Sequence, residues 1–342
     1  MKKALGWVMR AKREVATVTF DYDETILGPR DIAVRTDFTA VSPGTECANY
    51  LALDPDVLTP GKWCTYPWTP GYAGVGTVIG LGAAVSQYQV GDRVVGQLQH
   101  RSYQTVSVDG LVVPAHPEVA LQHAAYTRLL GIAMTTLQWL RHDPLGVAGV
   151  WGLGTIGNFV AQFLHSAGYR VIGIDPVSAR RDLVVRCGIR EMLDPGGADF
   201  AGQIQQRTGG EGLDVAVDTT GRAASTVTIP ALVRWRGQMI LMTHWRSQPL
   251  IDASPLIRDV FCKGITLQGA HDSSPGGDPW TDAAVLYRRK MRRIQHHLAA
   301  GQLRVGPMIS HVVSPTQCKE VYEGLTLEPA KWWGVVVDWS QA

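Results

Sequence analysis

Apolar positions follow two different rhythms along this chain. Through roughly the first 110 residues, short runs rich in β-branched side chains are broken by Gly and Pro. "EVATVTF" from Glu14, "DIAVRTDFTAV" from Asp31, "GVGTVIGLG" from Gly74 and "DRVVGQL" from Asp92 predict an all-β region. From about residue 120 the period lengthens, and "EVALQHAAYTRLLGIAMTTLQWL" has helical spacing. Strands and helices then alternate. "GVAGVWG", "RVIGID", "LDVAVDTTG", "GQMILMT" and "GITLQGA" read as strands, with "TIGNFVAQFLHSAG", "SARRDLVVRCG" and "AASTVTIPALVRWRG" as crossover helices. That alternation predicts a doubly wound parallel sheet. After residue 270 come a helix and the strand-like "AKWWGVVVDW", which should return to pair with the first β region. The expected chain is α/β, with a dinucleotide-type unit over 120–270 inserted in a β-rich domain made of 1–119 and 271–342.

Composition narrows the partners. At 342 residues the chain can bury two cores, and 45% hydrophobic with 18% charged residues is ordinary for a soluble globular protein. Lys plus Arg is 32 against 30 for Asp plus Glu, a balance that predicts neither a nucleic-acid nor a membrane partner. The basic run Arg288-Arg289-Lys290-Met291-Arg292-Arg293 reads as a solvated helix face, with an anion-binding patch as its alternative. Five scattered cysteines without a C-x-x-C pair fit a reduced compartment, and no apolar run suits a signal peptide or a membrane span. A cytoplasmic location is expected.

One stretch carries recognisable chemistry. "WGLGTIGNFVAQFLHSAGYRVIGID", from Trp151 to Asp175, places Gly152, Gly154 and Gly157 in G-x-G-x-x-G between an apolar strand and an amphipathic helix. The glycines suit a tight turn, close approach to a pyrophosphate and helix–strand contact. The helix opening at Thr155 and Ile156 offers free N–H groups to phosphates. Asp175 ends the second strand, where a carboxylate accepts ribose hydroxyls and disfavours a 2′-phosphate; NAD(H) is expected. Arg180 and Arg181 follow closely and keep NADP(H) open. Thr219 and Thr220, after Asp218, end a later strand and suit either the nicotinamide half or strand-end capping. His244, Trp245 and Arg246 follow "GQMILMT" near the expected nicotinamide position, and His271 with Asp272 follows the next strand.

"TAVSPGTE", "PGYAGVGTVIGLG", "VGDRVVG", "GLGTIG" and "GVVVDW" together make the chain resemble the medium-chain dehydrogenase/reductase superfamily, the zinc alcohol dehydrogenase-like proteins. "SPGTE" with "PGY" is most similar to the zinc-lacking bi-domain branch that includes 3-hydroxyethyl bacteriochlorophyllide dehydrogenase. The resemblance implies a Rossmann unit inserted in a GroES-like catalytic domain, an NAD(P)-dependent oxidoreductase, and a homodimer joined at the "GITLQGA" edge.

Departures from the family pattern define the expected site. Pro43 stands in the slot of a zinc-ligating Cys, Tyr72 and Ala73 follow Gly71 where His-Glu is usual, and Arg128 occupies the third ligand slot. The four-cysteine lobe after "GDRVVG" is missing. Proline, tyrosine and arginine cannot supply a tetrahedral N, S and carboxylate set, so no zinc is expected. An improvised site using Cys47, Cys64 or His100 is the alternative. Without a metal, hydrogen-bond donors must steady the negative charge that hydride transfer builds on oxygen.

Candidate donors follow from those slots. Tyr72 is the proton donor, or else a packed tyrosine. Thr45 matches the hydroxyl residue that touches substrate oxygen, or else holds a turn. Glu46 matches a carboxylate behind the ligands and is expected to pair with Arg128, whose other reading is an anchor for a substrate carboxylate or phosphate. His100 is a general acid or a surface-loop histidine. Trp68 and Trp245, with Trp63, flank the expected cleft and suit either a bulky or sugar-like ring substrate or core packing, and His271 suits either the same pocket or a subunit interface. The expected activity is zinc-independent hydride transfer between a nicotinamide and a secondary alcohol or ketone. Reduction of an enone or quinone C=C bond, and nucleotide binding by a chain whose catalytic residues have decayed, are the alternatives.

Overall fold

A computed structural model describes residues 1–141, 144–245, 250–272, 283–340 and 342. The chain opens with β1 (Lys2–Ala11), β2 (Glu14–Tyr22), β3 (Asp31–Ala40), α1 (Pro43–Tyr50), β4 (Gly74–Leu81), β5 (Arg93–Gly96), β6 (Tyr103–Ser107) and β7 (Val112–Pro114). Next come α2 (Leu121–Ala124), α3 (Thr127–Trp139), β8 (Val147–Trp151), α4 (Thr155–Ser166), β9 (Arg170–Ile174) and α5 (Ser178–Arg186). β10 (Glu191–Leu193), α6 (Phe200–Arg207), β11 (Leu213–Asp218), α7 (Ala223–Thr228), β12 (Val233–Leu241), α8 (Ser254–Lys263) and β13 (Thr266–Gly269) continue the alternation. The last elements are α9 (Ala283–Ala299), β14 (His311–Val313), α10 (Cys318–Leu327) and β15 (Val335–Asp338).

Two compact units result: Met1–Gly131 with Trp280–Ala342, and Ile132–Pro279. The division falls inside α3, later than the sequence boundary near residue 120, because α2 packs on β3, β4 and α9 of the first unit. In the second unit six parallel strands run in the order β10-β9-β8-β11-β12-β13. That is the doubly wound order with its switch point between β8 and β11, the first and fourth strands of the unit. β8 and β11 are buried on both faces, which is why they read as continuous apolar runs.

The first unit holds the β1–β2 hairpin and a seven-stranded sheet ordered β14-β15-β3-β4-β5-β7, with β6 also on β3. β6 covers β3 from Asp31 to Arg35, and β15 takes Phe38 to Ala40 of the same strand. The tail therefore returns to the first β region, as its apolar run predicts.

Two expectations change in detail. "AASTVTIPALVRWRG" is not one helix: Pro230 lies in a 3-10 turn over Ile229–Leu232, and Val233 already starts β12. The basic run is only partly a solvated face. Arg289, Arg292 and Arg293 are exposed, but Lys290 turns inward with its ammonium 4.7 Å from the Tyr287 ring centre. Among the described residues no helix is long and apolar enough to cross a membrane. All five cysteines are free thiols.

Candidate active site

The glycine-rich turn of the second unit is dictated by its backbone. Gly152 has φ +84°, and a Cβ there would lie 2.9 Å from the Thr219 hydroxyl. A Cβ on Gly157 would stand 1.7 Å from the Gly152 carbonyl oxygen, inside covalent range. Gly154 differs from both. Its φ is −67° and nothing lies within 4 Å, so folding alone does not require glycine there. The N-cap residue Gly154 has no side chain to cap α4, and the first turn opens with Thr155, Ile156 and Gly157, where helix N–H groups and the positive dipole end favour an anion. Turn, open face and uncapped helix fit the pyrophosphate of a dinucleotide.

Asp175 is buried beside this turn. One carboxylate oxygen accepts the Leu153 N–H at 2.8 Å and the other accepts the Val177 N–H at 2.8 Å. The carboxylate thus ties the turn to the end of β9, a role its position in sequence does not announce, and each oxygen keeps a second lone pair for a ribose hydroxyl. Arg180 lies 3.7 Å from the same carboxylate, while Arg181 is turned to the Asp175 carbonyl and Asp194. Thr219 donates to the Gly152 carbonyl at 2.7 Å, and Thr220 donates to Asp218 at 2.7 Å. Both hydroxyls therefore brace the strand end. The Trp245 indole donates to Thr226 at 2.9 Å, and His244 beside it is exposed. His271 is exposed, with its ring 3.6 Å from Asp272. Arg246 lies outside the described residues.

In the first unit the expected donors gather around the start of α1. Ser42 is the N-cap residue, followed by Pro43 at the first helical position. Glu46 Oε1 accepts the Ser42 backbone N–H at 2.9 Å, half of a reciprocal cap displaced by one residue from the usual spacing. The other half is not made. The Ser42 hydroxyl caps nothing and instead accepts a 2.5 Å hydrogen bond from the Tyr72 phenol. The Arg128 guanidinium lies 5.9 Å from the Tyr72 ring centre. Burial, then the Glu46 charge, raise the phenol above its ordinary pKa of 10.0, while Ser42, Thr45 and Arg128 act in the opposite direction. Tyr72 stays protonated at neutral pH and is only partly buried, as an acid facing a ligand must be.

Three expectations are corrected here. Glu46 does not pair with Arg128. Its Oε2 accepts the Tyr322 hydroxyl at 2.6 Å and faces His100 Nε2 at 3.0 Å, whereas Arg128 donates to the Tyr287 hydroxyl and lies 4.3 Å over that ring. His100 is neither a surface-loop histidine nor an accessible acid. It is fully buried, with Nδ1 2.7 Å from the Thr39 hydroxyl, which in turn accepts the Trp339 indole N–H at 2.8 Å. The chain of donors closes if imidazole carries its proton on Nε2: indole to Thr39, Thr39 to His100, His100 to Glu46. Burial and Glu46 hold the Tyr322 phenol well above its ordinary range, so it too donates. Trp68, finally, belongs to the buried core with Trp7, Met9 and Tyr50, and only Trp63 packed edge-on against it is exposed.

Sequence reasoning missed Ser42, Thr39, Tyr287, Tyr322 and Trp339. A serine four residues before a glutamate hints at the cap, but nothing local marks Tyr322, 276 residues from its partner.

Among the described residues no group of three His, Cys, Asp or Glu side chains is placed to hold a metal. Glu46 and His100 are completed by hydroxyls, and Cys47 and Cys64 lie in the apolar core, where burial pushes the Cys47 thiol upward.

An alcohol dehydrogenase GroES-like domain profile matches residues 28–122, and a zinc-binding dehydrogenase profile matches residues 155–282. The chain belongs to the medium-chain dehydrogenase/reductase superfamily. A D-guloside 3-dehydrogenase of Shigella flexneri is 28% identical over 235 residues, covering 63% of this chain and 67% of its own. The 2R,3R-butanediol dehydrogenase of Bacillus subtilis shares the fold at a TM-score of 0.79 and 18% identity, over 98% of this chain and 99% of that one. Galactitol-1-phosphate dehydrogenase of Escherichia coli superposes over 98% of this chain and 99% of its own, with a TM-score of 0.81 and 15% identity. This medium-chain dehydrogenase/reductase is an NAD(P)-dependent oxidoreductase, with Gly157 and α4 inside the second matched segment and its Ser42–Tyr72 hydroxyls inside the first.

Proposed function

We propose that this enzyme interconverts a secondary alcohol and a ketone on a sugar- or polyol-like substrate with NAD(H), without zinc. The observation that carries the reading is the phenol of Tyr72, held by Ser42 and Thr45, in a slot where zinc members place a ligand. A bound dinucleotide supplies or takes the hydride. In the reducing direction Tyr72 gives its proton to the substrate oxygen, Thr45 shares that oxygen, and Arg128 supplies a fixed positive field. Gly152, Gly154, Gly157 and the start of α4 hold the pyrophosphate. Asp175 receives the ribose hydroxyls, which favours NAD(H) over NADP(H), with Arg180 beside it as the group that moderates the preference. Relatives that act on D-gulosides and galactitol phosphate support the substrate class.

The test is a panel of methyl glycosides and polyols assayed with NAD⁺ and NADP⁺, together with elemental analysis. Ketone formation without stoichiometric zinc supports the proposal, whereas one zinc per active chain overturns its metal-free part. Saturation of an enone or quinone in place of alcohol oxidation assigns the alternative reductase chemistry. Stabilisation by NADH, about 2.7 kcal/mol at a hundredfold excess over Kd, without any turnover assigns a nucleotide-binding role.

We place the enzyme in the cytoplasm on its five free thiols and read it as a homodimer. Among the described residues β13 is the last strand of the parallel sheet, and Ile257, Phe261 and Leu267 are exposed on α8 and that strand. Light scattering at the monomer mass would reject the dimer.

A further inference from the structure

The helix α1 begins with a serine whose hydroxyl does not serve the helix. Its backbone N–H is held by Glu46, so the residue keeps the cap position while its Oγ is free for another partner. That partner is Tyr72 Oη, 2.5 Å away. Ser42 is only 5% exposed, which shields the bond from bulk water. The charged and titratable groups facing the phenol are Glu46 and Arg128; Tyr322 and His100 bear on it through Glu46, and Tyr287 through Arg128.

We propose that Ser42 is the positioning residue of the Tyr72 phenol: its hydroxyl holds Tyr72 Oη in place and turns to donate to that oxygen when the proton leaves. The inference rests on the reading of Tyr72 as proton donor. Its proton balance closes. The Tyr72 O–H bond breaks as the substrate oxygen gains that proton, and the Ser42 hydroxyl rotates without losing its own. Solvent water returns a proton to the phenolate before the next turnover. Glu46 disfavours the phenolate, so a donor on the opposite account is needed, and Ser42 and Thr45 are the hydroxyls in place to be it.

The test uses the full chain without cofactor or substrate, carrying 3-fluorotyrosine, whose phenol titrates lower than that of tyrosine. Fluorine NMR follows the titration, and the resonance missing from Tyr72→Phe identifies the phenol. Ser42→Ala should raise its midpoint by about one pH unit, and Ser42→Thr should bring it back. Ser42→Ala should also leave the urea midpoint of the fold in place, since no cap is lost; Ser42→Gly gives the same titration if the alanine chain does not fold. A midpoint unmoved in the alanine or glycine chain overturns the assignment, as does a shift that threonine leaves uncorrected. The donor role is judged separately. An unchanged kcat in Tyr72→Phe removes Tyr72 from the chemistry, while the titration still decides whether Ser42 grips the phenol.

Discussion

The two functional regions of this enzyme are specified by different parts of the chain. In the second unit the glycine-rich turn is a backbone object: Gly157 has no room for a Cβ, Gly152 needs its left-handed φ, and their spacing is fixed within one turn of chain. In the first unit the site is a side-chain object. Glu46 meets Tyr322 across 276 residues and His100 across 54, and the phenol of Tyr72 meets Ser42 across 30. A backbone-made site announces itself as a short motif, whereas a site made by distant side chains leaves no pattern that a local reading can find.

Glu46→Ala tests that contrast most severely. It leaves His100, Tyr322 and the Ser42 N–H without their acceptor in a sealed interior, and should cost about 3–5 kcal/mol in urea unfolding. A loss below about 1 kcal/mol would mean that the network is not what organises the first unit. Gly157→Ala is the backbone counterpart. The added methyl cannot coexist with the Gly152 carbonyl, so a loss of about 3 kcal/mol and weakened NADH binding should appear together in thermal-shift titrations. Unchanged NADH stabilisation in that chain would break the assignment of the turn.

Tyr72→Phe should lower kcat about a hundredfold with little change in KM. Asp175→Ala should weaken both dinucleotides by freeing the Leu153 N–H, and should narrow the NADH-over-NADPH preference about tenfold. If the ratio stays where it was, the ribose contact lies elsewhere. The smallest effect is on acid stability. His311 stacks on Trp332 at 3.6 Å, and burial lowers its pKa from 6.5. The unfolded chain therefore takes the proton first. This contribution is present above the unfolded value and is lost as pH falls through the folded one. His311→Phe should flatten the acid limb of a stability profile, and an unaltered limb would assign it to other groups.

Much of the architecture was legible because it rests on periodicity. The parallel strands, the glycine turn with its carboxylate, and the returning tail all follow from runs of buried residues. The resemblance brought Tyr72 forward, and the structure adds Ser42 as the partner of its phenol. Partners were harder. Arg128 looked like the natural counter-ion of Glu46, but the carboxylate had closer suitors in His100 and Tyr322. His100 was open to two readings, a general acid or a surface-loop histidine; its ring is instead drawn under Trp7, at 4.8 Å between centres. Of the two readings of Trp68, substrate contact or packing, the structure selects packing, on the N-terminal hairpin.

The sharing of one edge of β3 by β6 and β15 sets a timetable for the nascent chain. A ribosome releases everything the cofactor unit needs long before Val335 to Asp338 emerge. Until then Phe38 to Ala40 wait with an unsatisfied ladder, open to capture by any passing strand. A premature stop that removes only those last residues would thus yield a chain able to fold its nucleotide half and prone to clump through the other.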